Sequence, residues 1–215
     1  MPAEGRAAGL VAPEAAEWVD TLIHTRHTVM PRRLGEPGPD AAQAVQILSA
    51  AAAAPDHGQL MPWRFVVVPA AARAALGQAF ADALLERDPQ ATAVQQDDAR
   101  AKAFRAPWLL LAVARTEGGD PAIDRTERLL SAGCALQNML LTAHALGFGA
   151  ALTSGKALKS AALRMLFDLG PGELALCFLS VGTPLSRRPG HGAAGGGRNR
   201  PELAAYVSSL VPPPD

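Results

Sequence analysis

The sequence predicts an α+β protein with a three-layer αβα core, and three observations carry that reading. Three short segments, RFVVV at 64–68, WLLLAVA at 108–114 and LALCFLSV at 174–181, are apolar on both of their alternating faces. That is the pattern of interior strands covered from two sides. Longer segments with helical spacing lie between them, so each sheet face can be roofed by helices. The third observation is the run ERLLSAGCALQNMLLTAHAL, 127–146, which has no proline and one internal glycine. Its Leu, Met, Ala and Gln content gives high helix propensity. Its polar residues Glu127, Ser131, Asn138 and Thr142 fall on one narrow stripe, so it is expected to be the buried central helix.

In chain order, residues 13–24 form a first helix, with Pro13 suited to its first turn and Ala16, Val19, Leu22 and Ile23 as its apolar face. Residues 24–40 are basic, punctuated by proline and not periodic, hence a loop. Asp40 caps a second helix that runs to Ala54 and stops at Pro55. Residues 55–63, PDHGQLMPW, are irregular, and the first strand follows. Helices over 70–85 and 90–105 precede Pro107, which opens the second strand. A polar loop at 116–123 leads to the central helix, for which Asp124 with Glu127 has capping-box spacing and Gly147 is the C-terminal stop. GFGAALTSG, 147–155, is a third irregular stretch with room for a short strand. A helix over 156–169 ends at Gly170-Pro171, the third strand runs to GTP at 182–184, and 185–200 is a Gly/Arg-rich loop before a short element at 202–210.

With 215 residues, 49% of them hydrophobic, the chain has material for one substantial core. The expected organisation is a disordered tail over 1–12, a single domain over 13–210 and a tail over 211–215. Twenty basic and twenty acidic residues give no net charge, so no global field draws nucleic acid or anionic lipid. No apolar run reaches the length of about 18 residues that a membrane span needs. The first dozen residues carry Glu4 and Arg6 and read as a tail, not a signal peptide. Cys134 and Cys177 sit in apolar runs without a CxxC, which suggests buried free thiols in a reducing, cytoplasmic setting.

The five histidines make neither HxH nor HExxH, so no metal site is expected. GxSxG is absent, as are GxGxxG, GxxxxGK[ST] and a pair of carboxylates in the loops. The remaining signal is electropositive. Arg26, His27 and Thr28 directly follow a helix, and Arg187 and Arg188 follow the last strand. Guanidinium forks and a hydroxyl suit a phosphate. The same residues also suit a solvated loop balanced by Glu36 and Asp40.

Several separated stretches together resemble the nitroreductase family of FMN enzymes, in particular its compact NAD(P)H nitroreductase subgroup. They are Arg26-His27-Thr28; Ala54-Pro55-Asp56-His57 with Pro62-Trp63; the central helix through Ser131, Ala132, Gly133, Ala135, Gln137, Asn138, Leu141 and Ala143; the GFG turn with Ser154-Gly155; and Gly182-Thr183-Pro184 followed by basic residues. They occur in the family's order over roughly 15–210. Met61 stands where the family has glutamine, Gln59 where it has asparagine, and Leu152 and Thr153 where the subgroup often has tryptophan and arginine.

The resemblance implies a mixed, mainly antiparallel sheet in a homodimer with FMN bound in clefts between subunits. It assigns Arg26, His27 and Thr28 to the FMN phosphate, with Arg187 or Arg188 closing that site. Asp56, His57 and Gln59 would lie near the ribityl chain or substrate mouth, across the interface. Thr153, Ser154 and Gly155 would approach the flavin ring. FMN would carry the redox chemistry, with no catalytic residue from the protein. NADH or NADPH would be the reductant and a nitroaromatic, quinone or similar small molecule the acceptor, by a ping-pong scheme. Pro62 and Trp63 are expected to pack behind their loop. The alternatives are a flavin-binding protein without reductase turnover, serving storage, sensing or cofactor metabolism, and a cofactor-free structural dimer.

Overall fold

The computed structural model describes residues 12–185 and 201–210. Most of the expected tail over 1–12 and all of the tail over 211–215 lie outside the described residues. So do 186–200, and with them Arg187 and Arg188. Two units are distinguished, Met1–Leu185 and Ser186–Asp215. In the second, the described residues are exposed and hold one 3₁₀ turn, Leu203–Ala205.

The first unit runs α1 (Ala12–Thr25), β1 (Leu34–Gly35), α2 (Ala41–Ser49), β2 (Trp63–Val67), α3 (Arg73–Arg87), α4 (Ala93–Ala101), β3 (Trp108–Arg115), α5 (Arg125–Ala145), β4 (Gly149–Thr153), α6 (Ala161–Leu166) and β5 (Glu173–Pro184). Every named strand pair is antiparallel: β2 with β3, β3 with β5, β4 with β5 and β1 with β5. A parallel bridge from Thr28 to Ala150 makes the sheet mixed. The fold is therefore α+β, as expected.

Alternation along β3 creates the layers. Leu110 and Ala114 pack with Ile47 of α2 and Ala135 and Met139 of α5. Leu109, Leu111 and Val113 point the other way, toward Leu76 of α3, Ala103 and Leu163 of α6. A bulge in β5 resets this parity. Ala112 pairs with Cys177 but Val113 with Ala175, leaving Leu176 as the extra residue. Cys177 thus faces Leu136 of α5 while Ala175 joins the opposite layer. A regular strand would put both on one side.

Several expectations need correction. Cys177 is buried, but Cys134 is exposed. The central helix is not buried all round: Ala132, Ala135, Met139 and Ala143 face the sheet, whereas Leu130, Gly133, Cys134 and Gln137 form an exposed stripe. Of its polar residues, Asn138 meets a neighbouring segment, its Nδ2 donating to Ala50 O at 3.2 Å, while Thr142 Oγ1 donates to Asn138 O within the helix at 2.9 Å. Asp124 caps α5 through the Thr126 and Glu127 amides, but Glu127 completes no box because its carboxylate binds His57.

The apolar face of α1 is left largely open, with Val19 and Ile23 exposed. The helix expected over 156–169 is a 3₁₀ turn, Lys156–Lys159, followed by the six-residue α6, because Ser160 interrupts it as an N-cap that accepts from the Leu163 amide. Two strands lie in stretches that read as irregular. β1 pairs only Leu34 and Gly35, too short for a periodic signal. β4 fills the short-strand space in 147–155.

Candidate functional site

After α1 the segment Arg26–Arg32 is laid beside β4. Thr28 bridges Ala150 in parallel, and the Val29 amide donates to Ala150 O at 3.0 Å. Gly149 allows the approach: a Cβ there would lie 2.9 Å from Val29 Cβ and 2.9 Å from Leu34 Cδ2. A parallel pair advances both strands in one direction. Met30, Pro31 and Arg32 therefore come level with the end of β4, and together with Thr153, Ser154 and Gly155 they line a cavity of about 530 Å³. That size is usual for a small-molecule or cofactor site.

The other walls come from distant parts of the chain. Leu109 of β3 and Phe178 and Ser180 of β5 form the floor, and Phe80 and Leu84 of α3 one side. Phe178 is held edge-on between Phe80 and Phe167, at 5.5 and 5.9 Å between ring centres. Five cations line the cavity: Arg32, Arg87, Lys102, Arg105 and Lys156. Among the described residues no carboxylate does, and none of the five side chains is hydrogen-bonded or salt-bridged. Burial, then the like charge of Arg32, push the Arg105 guanidinium below its ordinary pKa, against an opposing pull from Asp98. Ser180 is 2% exposed, and its hydroxyl has no protein partner among the described residues.

Arg26 and His27 lie next to the end of α5. Thr25 Oγ1 gives its one proton to Thr21 O at 2.7 Å, so it accepts from His144 Nε2 at 2.9 Å. Burial lowers the His144 pKa, and the positive charges of His27 and Arg26 lower it further. His144 is thus a half-buried tie between α1 and α5.

Asp56, His57 and Gln59 sit elsewhere. Their loop takes left-handed backbone at Gly58 (φ 68°), Gln59 (φ 51°) and Met61 (φ 44°). Asp56 Oδ2 accepts from the Met61 amide at 2.8 Å, while its Oδ1 is buried without a partner among the described residues. His57 Nδ1 lies 2.8 Å from Glu127 Oε2, which ties the loop to the start of α5, and that bond raises the His57 pKa. None of the three lines the cavity. Pro62 and Trp63 are buried behind this loop, with Trp63 in the core beside α5. Among the described residues no group of three or more His, Cys, Asp or Glu could hold a metal ion.

One chain therefore gathers Thr153, Ser154 and Gly155 with the segment that follows Arg26–Thr28, and keeps Asp56, His57 and Gln59 apart. Sequence reasoning missed Lys102, Arg105 and Ser180. Lys102 and Arg105 read as part of one long helix, but α4 stops at Ala101 and passes into a 3₁₀ turn before Pro107. That proline was the available signal. The signal for Ser180 was its place as the one hydroxyl in LALCFLSV.

A model of a family described as "Nitroreductase family" matches residues 23–183. An Escherichia coli K12 protein named "Putative NAD(P)H nitroreductase YdjA" is 34% identical over 166 residues, 77% of this chain and 87% of that protein. A Haemophilus influenzae protein of the same description is 32% identical over 78% of this chain and 89% of its own. Among solved structures, a nitroreductase-like family protein from Bacillus cereus superposes with TM-score 0.71 at 18% identity, covering 89% of this chain and 95% of that one. A mutant of an "FMN and NADPH-dependent nitroreductase" from sphigopyxis sp. strain HMH gives TM-score 0.68 at 19% identity, covering 89% and 98%. Those two likenesses speak to the fold.

Proposed function

Since the chain belongs to the Nitroreductase family, we propose that it is an FMN-dependent oxidoreductase. It takes reducing equivalents from NADH or NADPH and passes them, by a ping-pong scheme, to a nitroaromatic, quinone or similar electron-poor acceptor. The observation that carries this reading is the convergence of Met30–Arg32, directly after the Arg26–Thr28 motif, and Thr153–Gly155 on one cavity with an aromatic floor and cationic walls. The E. coli protein is named for NAD(P)H, and the sphigopyxis protein for FMN and NADPH.

The residues present fit FMN. Ser180 supplies a cavity-lining hydroxyl without a protein partner among the described residues, and Phe178 and Leu109 an apolar surface for a flat ring. Held there, FMN would supply the hydride and two-electron chemistry between the reduced nucleotide and the acceptor. Arg26 and Thr28, with His27 beside them and Arg187 or Arg188 following β5, would hold its phosphate. Thr153, Ser154 and Gly155 would bind at the ring, and the cations of the cavity would stabilise negative charge there on reduction. Phe80, Leu84 and Phe178 exclude water from that side.

The protein acts as a homodimer. Support comes from the open stripe of α5, Leu130, Gly133, Cys134 and Gln137, where small and apolar residues stand uncovered in one chain. Pairing there gives the Asp56–Gln59 loop, which misses the cavity of its own chain, a route to the partner's site.

The test is an absorption spectrum of the purified protein before and after FMN, then with anaerobic NADH or NADPH. Flavin bands that bleach support the reading. Bands that persist mean a flavin-binding protein without turnover, and no bound flavin after reconstitution refutes the assignment. Arg26→Ala is expected to lose most of the bound flavin.

A further inference from the structure

The cavity carries more positive charge than a flavin ring accounts for. The phosphate of FMN is assigned to Arg26–Thr28, which do not line the cavity, and to Arg187 or Arg188, which lie outside the described residues. Reduction would leave one negative charge on the ring, yet among the described residues Arg32, Arg87, Lys102, Arg105 and Lys156 all line this space and no acid does. Taking the flavin reading of the site as its basis, we propose that the acceptor reduced here is an aromatic anion of the carboxylate class, recognised by Arg105 and Arg32.

The side of the cavity formed by α3 supplies the aromatic half of that recognition. Phe80 and Leu84 offer apolar and ring surface for an arene beside the floor given to the flavin. The anionic half follows from cations with no hydrogen-bonded or salt-bridged acid among the described residues, Asp98 acting on Arg105 only through its charge. Guanidinium groups close enough to oppose each other lower their mutual repulsion when a carboxylate sits between them, and the fork of Arg105 can bind it through two oxygens. A neutral acceptor gains the same apolar side but brings no charge to the cations, and a cationic one is repelled. The carboxylate takes no part in the chemistry. A nitro group passing to nitroso consumes two electrons and two protons and releases water, with the electrons drawn from one NAD(P)H.

The test compares 4-nitrobenzoate with its neutral methyl ester on the full chain reconstituted with FMN. Binding to the oxidised protein is measured by calorimetry and turnover as kcat/KM. The ester is the more electron-poor arene, so intrinsic reactivity works against the expected result. A preference for the carboxylate of about tenfold or more in both readouts is expected, falling as ionic strength rises. Arg105→Gln should bring the carboxylate-to-ester ratio near unity, and Arg105→Lys should restore part of it. A wild-type ratio at or below one overturns the proposal, as does a ratio insensitive to salt and to both Arg105→Gln and Arg32→Gln. Flavin that bleaches without discrimination between the acceptors overturns this proposal alone. Carboxylate-selective binding in a protein whose flavin does not bleach upholds anion recognition and removes the reductase reading.

Discussion

Replacing Arg73 with Met should cost about 3–4 kcal/mol of stability. The side chain is 6% exposed and stands at the start of α3. Its guanidinium donates to four backbone carbonyls: Val68 at 3.0 Å, Ala103 at 2.7 Å, Ala106 at 3.2 Å and Pro107 at 3.1 Å. It thereby clamps the end of β2 to the stretch that closes α4 and opens β3, the stretch that also places Lys102 and Arg105 on the cavity. Met keeps much of the apolar stem and removes the donors. The buried carbonyls of Val68 and Ala103 are stranded, at about 1–3 kcal/mol each, and the two longer bonds add less. Relief from dehydrating a charge offsets part of this, since burial already lowers the Arg73 pKa. Urea unfolding of the full chain without added flavin measures the difference. At a slope of about 2 kcal/mol/M the midpoint should fall by roughly 1.5–2 M. A loss under about 1 kcal/mol at unchanged slope, or full recovery with Arg73→Lys, would refute the clamp.

Gly182→Ala should destabilise by about 1–3 kcal/mol, read as a lower melting temperature, because the new Cβ would sit 2.7 Å from Pro107 Cδ and 3.0 Å from Gly35 O. For His57, the Glu127 hydrogen bond raises the folded pKa above the ordinary imidazole value. The stability it adds is complete below the unfolded pKa and is lost as pH rises through the folded one. Glu127→Gln should bring the NMR-titrated His57 pKa back down, and an unchanged value would exclude the pair. Thiol titration should find Cys177 silent in the native state, since burial pushes its pKa up to about 11, and reactive once the chain is unfolded. Cys134 should react freely in dilute protein and more slowly where the α5 faces pair, so a rate independent of concentration argues against that dimer face. Leu130→Asp should yield a monomer by sedimentation.

The three long strands and the central helix were legible because their signals are local. RFVVV, WLLLAVA and LALCFLSV carry β-branched and apolar side chains on both faces, and 127–146 lacks proline and carries strong helix formers. Arg26–Thr28 and Ser154-Gly155 were legible as motifs in order, not as neighbours. What could not be read was anything set by which surfaces meet. The bulge at Leu176 decides that Cys177 and Ala175 face opposite layers, and nothing in LALCFLSV marks it. β1 exists because Leu34 and Gly35 find Pro184 and Thr183, a pairing without a local pattern. The cavity joins Arg32, Arg87, Lys102 with Arg105, and Lys156 from four separated stretches. Periodicity dictates what each stretch becomes, because it acts between residues a turn or a pleat apart. The charge of the site and the open stripe of α5 arise from register and packing between segments far apart in the chain, and these exist only once the layers have closed.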